Sequence, residues 1–154
     1  MITIHKAKPE HIEFLIDFQL RLAMESENVQ LSTETLRAGM SAMFNDPTKG
    51  EYYVAIDGDQ VIGCHMITYE WSDWRNGMVW WLQSVYVLDS HRKSGVFKKM
   101  YDNIISIISN DPGLIGLRLY VDKSNAKAMK VYEAMGMDGS HYTVYEWMKA
   151  SEIP

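Results

Sequence analysis

The stretch Gln83-Ser84-Val85-Tyr86-Val87-Leu88-Asp89-Ser90-His91-Arg92-Lys93-Ser94-Gly95-Val96-Phe97 passes from strand to polar loop to helix. Its first third is aromatic and β-branched, as strands are. The middle carries two adjacent cations. Phe97, Met100, Ile104 and Ile108 then recur at helical spacing, so a helix opens at Gly95. A helix N-terminus presents unpaired N–H groups and a partial positive charge, which makes it a natural anion site. Gly95 lets the backbone come close to a phosphate. Arg92 and Lys93 can add charge. Taken alone, the same residues also fit a solvated loop with ordinary surface cations. Neither a Walker A loop nor a Gly-x-Gly-x-x-Gly fingerprint occurs in the chain.

Working outward, alternation over 2–7 predicts a strand. Pro9 suits a first helical turn, and Ile12, Leu15, Phe18 and Leu22 follow at helical spacing. Ser32 is a candidate N-cap, with Glu34 in the first turn. Leu36, Met40 and Met43 form one stripe of this second helix, which Asn45-Asp46-Pro47 stops. Residues 51–56 and 60–71 predict strands joined at Asp57-Gly58-Asp59, and 79–88 a third after the Asn76-Gly77 turn. Downstream of the helix over 95–109 come a strand over 115–121, a helix over 125–135 and a closing strand over 141–148. Asn125 is a candidate N-cap of that last helix and Gly136 its stop. The order β-α-α-β-β-β-α-β-α-β joins a meander to a βαβ crossover. It predicts an α/β (α+β) single domain spanning 1–154, with a mixed, mostly antiparallel sheet flanked by helices.

Composition narrows the partners. A chain of 154 residues suits one domain and buries roughly 70% of its unfolded surface, so it needs neither metal nor disulfide. The net charge of −5, with no Lys/Arg cluster, argues against nucleic acid and weakly favours a cationic substrate. No apolar run approaches the ~18 residues of a membrane span, and the N-terminus does not read as a signal peptide. Cys64 is the one cysteine, so no intrachain disulfide forms and a cytoplasmic location is expected. In a strand Cys64 and His65 point to opposite faces and cannot form a dyad; Cys64 reads as a buried small hydrophobe. The histidines lack metal-ligand spacing, so no metal is expected.

A second constellation is Asp122-Lys123-Ser124-Asn125-Ala126-Lys127-Ala128-Met129-Lys130-Val131-Tyr132-Glu133-Ala134-Met135-Gly136. Here the chain resembles the GNAT acetyltransferase superfamily. Arg92-x-x-Gly95-x-Phe97 looks like its coenzyme A loop, [Gln/Arg]-x-x-Gly-x-[Gly/Ala], with Phe97 where a small residue is usual. Asn125, Ala128, Tyr132 and Gly136 match its Asn-x-x-Ala-x-x-x-Tyr-x-x-x-Gly helix. Trp81 and Tyr120 stand where many relatives keep a glutamate base.

The resemblance implies acetyl-CoA as co-substrate. Backbone groups of Val85, Tyr86 and Val87 would pair with the pantetheine amides as an added strand. The amides of Lys93, Ser94, Gly95, Val96, Phe97 and Lys98, with the Arg92 side chain, would hold the pyrophosphate. Asn125 would contact the cofactor near its thioester, and Tyr132 would protonate the departing thiolate. Read without the resemblance, Tyr132 is a packing tyrosine.

The resemblance also implies an acceptor amine, of a small molecule or an exposed peptide amino group, which must lose a proton before it attacks. Glu70 is the first candidate base, its alternative being a solvated strand-end carboxylate. Glu25, Glu27, Trp71 and Gln83 are the acceptor-side candidates, Glu25 and Glu27 reading equally as a polar helix end. Competing functions are transfer of a longer acyl chain, transfer to a hydroxyl, and a catalytically silent acyl-CoA-binding regulatory domain. Relatives are often homodimers.

Overall fold

Runs of β-branched and aromatic residues form five strands: β1 (Ile2–Lys6), β2 (Glu51–Asp57), β3 (Gln60–Ser72), β4 (Gly77–Val87) and β5 (Leu114–Arg118). The computed structural model describes residues 1–150. Its two compact units are Met1–Arg118 and a second that begins at Leu119.

In the first unit the strands lie in the order β1-β2-β3-β4-β5. The pairs up to β3·β4 are antiparallel and β4·β5 is parallel. Short turns make the meander: Gly58 takes φ 60 between β2 and β3, and Asn76 takes φ 48 just before β4. Helix α3 (Val96–Asn110) separates β4 from β5, and this crossover makes their pairing parallel. Gly63 is required where β3 meets β4, because a Cβ there would sit 2.8 Å from the Tyr86 carbonyl oxygen.

Helices α1 (Ile12–Glu27) and α2 (Thr33–Asn45) cover one face. Leu15, Phe18, Met40 and Met43 pack with Tyr52, Val54, Cys64 and Tyr86. Burial of a side chain like Phe18 contributes about 1.5–3 kcal/mol. On the other face Val96 and Met100 of α3 pack with Ala55 and Ile62. Ser32 caps α2 by accepting the Thr35 N–H at 3.2 Å. Pro9 starts a 3-10 turn, Pro9–His11, and α1 follows it at Ile12.

The second unit holds α4 (Ala126–Ala134), capped by Asn125. Gly136 stops it with φ 89. The mixed α/β class holds, but the closing strand expected over 141–148 is corrected: those residues form no strand. Alternation supplies the side-chain pattern of a strand, whereas a strand exists only as one side of a ladder. Tyr145 and Trp147 there are 93% and 87% exposed. The strand expected over 115–121 likewise ends at Arg118. Among the described residues no helix is long and apolar enough to cross a membrane, and no cluster of metal-binding side chains occurs.

Candidate active site

The ladder between β4 and β5 runs from Met78 to Trp81 on β4 and ends at Arg118 on β5. β4 continues to Val87. Among the described residues no strand lies beside Leu82–Val87 on the side away from β3, so that edge is open. Leu88 donates its N–H back to Ile62 on β3 at 2.9 Å. By strand alternation its neighbour Val87 turns its own N–H and C=O to the open edge. An extended amide chain could pair there as an added strand.

A bulge interrupts β4 at the same place. Cys64 pairs with Tyr86 and Met66 with Gln83, so Ser84 and Val85 together oppose His65. Ser84 takes φ 55, a left-handed conformation that costs a non-glycine residue about 1–2 kcal/mol. Three groups surround it. Gln19 of α1 donates from Nε2 to the Ser84 carbonyl at 3.2 Å and to Cys64 Sγ at 3.5 Å. The Cys64 thiol faces the same carbonyl at 3.7 Å. Burial pushes that thiol up to about 12, so it remains a donor and no nucleophile. The Tyr52 phenol approaches the Ser84 side chain.

Beyond β4 the chain makes a 3-10 turn, Asp89–His91, and then enters α3. Lys93 takes φ 63 and Gly95 φ 84. Gly95 is the N-cap of α3 and, having no side chain, brings no cap to the amides that follow. The first turn therefore presents donors, with the positive end of the helix dipole, at the foot of the open edge. Val96 is buried, and Phe97 packs against the cluster beneath α3.

The side chains beside this junction are already paired. Arg92 donates from Nε to the Val87 carbonyl at 2.9 Å and from Nη2 to Glu25 at 2.7 Å. It also pairs with Asp89 and lies 5.2 Å from the centre of the Tyr86 ring. Tyr86 donates its hydroxyl to Glu25 at 3.1 Å. Glu25 thus meets Arg92 and Tyr86, while Glu27 ends α1 exposed. Glu70 accepts from the Trp81 indole at 3.1 Å and from Arg118. Gln83 donates to Thr68 at 2.5 Å. Trp71 is 58% exposed near the tip of the β3–β4 hairpin.

In the second unit, Asn125 Oδ1 accepts the Ala128 N–H at 3.1 Å. That cap leaves the side-chain NH2 as the group with which Asn125 would donate to a ligand. Tyr132 lies two turns on, along the same side of α4. It is half-buried, and desolvation raises its phenol above the ordinary value.

Sequence reasoning missed Ser84, Gln19 and Arg118. Ser84 carries no signal, because serine does not announce a left-handed bulge. Gln19 had one: it interrupts the apolar stripe of Leu15, Phe18 and Leu22 on a helix that buries that stripe.

The family model described as "Acetyltransferase (GNAT) family" matches residues 16–137. A possible acetyltransferase from Clostridium difficile 630 shares 37% identity over 98% of this chain and 99% of its own, with TM-score 0.92. Two more distant structures share the fold at 16% identity. One is a predicted acetyltransferase with acetyl-CoA from Clostridium acetobutylicum, at TM-score 0.73 over 98% of this chain and 96% of its own. The other is AAC(6')-Iy in complex with the bisubstrate analog CoA-S-monomethyl-acetylneamine, at TM-score 0.76 over 97% of this chain and 99% of its own. No curated protein matches.

Proposed function

Since the chain belongs to the GNAT acetyltransferase family, we propose that it transfers an acetyl group from acetyl-CoA to an amine by direct attack in a ternary complex. The observation that carries this reading is the open β4 edge ending in the helix amides that follow Gly95. Those amides would hold the pyrophosphate, with Arg92 and Lys93 adding charge. The edge from Val85 to Val87 would receive the pantetheine, and Asn125 would donate to the cofactor near its thioester. The whole chain would act as one catalytic domain in a reducing, cytoplasmic setting, which suits a single buried thiol.

The amine nitrogen forms a bond to the thioester carbon while the C=O electron pair moves onto oxygen. The tetrahedral intermediate then re-forms its C=O bond and expels the thiolate, and the nitrogen, cationic after attack, gives its extra proton to solvent. Tyr132, whose raised pKa keeps its proton at neutral pH, would protonate the sulfur. Glu70 would accept the ammonium proton of the acceptor before attack, held in place by Trp81 and Arg118. Glu25, Glu27, Trp71 and Gln83 would line the acceptor side, for a small molecule or an exposed peptide amine.

Thiol release from acetyl-CoA, followed across a panel of amines, tests the function. Release with at least one amine is expected. Cofactor binding without release across a broad panel would favour a silent acyl-CoA-binding domain. With an active amine in hand, Tyr132→Phe should bind acetyl-CoA as before and turn over about 100-fold more slowly. Unchanged turnover would remove Tyr132 from its role.

A further inference from the structure

Gln19 is a buried polar side chain on the sheet-facing side of α1, 6% exposed. A buried amide without a partner would be costly. This one spends its donor on a single place in the sheet: the carbonyl of Ser84 and the thiol beside it. Ser84 is also where β4 departs from regular geometry. A strained left-handed residue persists only when its surroundings over-determine it. Gln19 from α1, Cys64 from β3 and Tyr52 from β2 all converge on Ser84.

The location gives the bulge a consequence. It lies just past the last β4–β5 pair, Trp81 with Arg118, where the two strands part. A bulge leaves its extra residue out of the ladder and re-aims the groups beside it. Ser84 stands four residues up the strand from Leu88, about 13 Å at the strand rise. A cofactor whose diphosphate sits at Gly95, and whose two-amide arm runs along Val87 and Val85, brings its thioester to this part of β4. The backbone N–H groups beside the bulge would then be in place to donate to the acetyl carbonyl, where negative charge develops in the reaction.

Resting on the proposed acetyl-CoA reading, we propose that Gln19 is a positioning residue: by holding the Ser84 carbonyl it sets the bulge that orients β4 amides toward the acetyl group. It touches no substrate. Its effect should fall on the acetyl end of the cofactor and spare the diphosphate end.

The test is titration calorimetry of the wild type and Gln19→Met with acetyl-CoA and, separately, with free coenzyme A. Methionine keeps the length and removes the donor. Gln19→Met is expected to bind coenzyme A within about twofold of wild type and acetyl-CoA about tenfold more weakly, one charge-free hydrogen bond's worth. Equal losses for both ligands would assign Gln19 to general packing and overturn the proposal, as would no change for either. If Gln19→Met does not fold, Cys64→Val, which removes the second donor to the same carbonyl, must show the same selective loss or the proposal fails. Should wild type bind neither ligand, the acetyl-CoA reading itself falls. Wild-type binding of both with no selective loss in the variant sinks only the role of Gln19.

Discussion

The junction from β4 into α3 and the carboxylates beside it are built in different ways. At the junction the candidate groups are backbone: an open strand edge, a left-handed Gly95 and helix amides with no cap from Gly95. Around it the candidate groups are side chains that already hold one another. Glu25 meets Arg92 and Tyr86, and Glu70 meets Arg118 and Trp81. A backbone site is fixed by the fold and, apart from the Val87 carbonyl that Arg92 already holds, stands ready for a ligand. A side-chain site must exchange existing partners for the ligand, so its specificity depends on which pair gives way.

That contrast can be broken most sharply at Glu70. If the carboxylate accepts the acceptor's proton, Glu70→Gln should lower kcat about 100-fold and leave acetyl-CoA affinity intact. Steady-state kinetics with an active amine decides it. A change confined to thermal stability would leave Glu70 as half of an ion pair with Arg118.

The backbone half is addressed by Gly95→Val. A Cβ at this position meets nothing within 4 Å, so sterics with neighbours do not decide the outcome. The left-handed φ does, and a β-branched residue resists it. Acetyl-CoA should bind roughly 5- to 30-fold more weakly by calorimetry, following from about 1–2 kcal/mol of conformational cost. Unchanged affinity would mean that the phosphates are not held at this turn.

A pH profile of either half carries a background from His65. This ring is fully buried, stacked on Tyr53 at 5.0 Å, and among the described residues neither ring nitrogen has a hydrogen-bond partner. Desolvation lowers its pKa to about 4. The folded state therefore binds a proton less readily than the unfolded state, and stability falls as pH drops from about 6.5 toward 4. Between about pH 7.5 and 5 the loss from this group should be about 2 kcal/mol. Denaturant unfolding of wild type and His65→Phe at both pH values measures it. Equal slopes in the two proteins would acquit His65.

The smallest effect is expected at Glu25. Glu25→Gln loosens the carboxylate's hold on Arg92 without removing the cation. Acetyl-CoA affinity should rise about two- to fivefold, more at low salt, because the released guanidinium is exposed and screened. A fall in affinity would show that Glu25 orients Arg92 for the phosphates. A rise in KM for the amine alone would return Glu25 to the acceptor side.

The order of elements as far as α4 and the strand–turn–helix junction at Gly95 were legible in the amino-acid sequence because both depend on local chemistry. Strand periodicity, helix spacing, the Ser32 and Asn125 caps and the breakers at Gly58, Asn76 and Gly136 act within a few residues. The Arg92-x-x-Gly95 turn is of the same kind. Tertiary structure decided what depends on partners distant in the chain. Residues 141–148 have a strand's pattern and no ladder. Glu25 and Arg92 are 67 residues apart, Glu70 and Arg118 48, and Gln19 and Ser84 65. Such pairings have no periodicity to read. They follow from where the packing of α1 on the sheet and the parting of β4 from β5 bring polar atoms out of water, where each must find a partner.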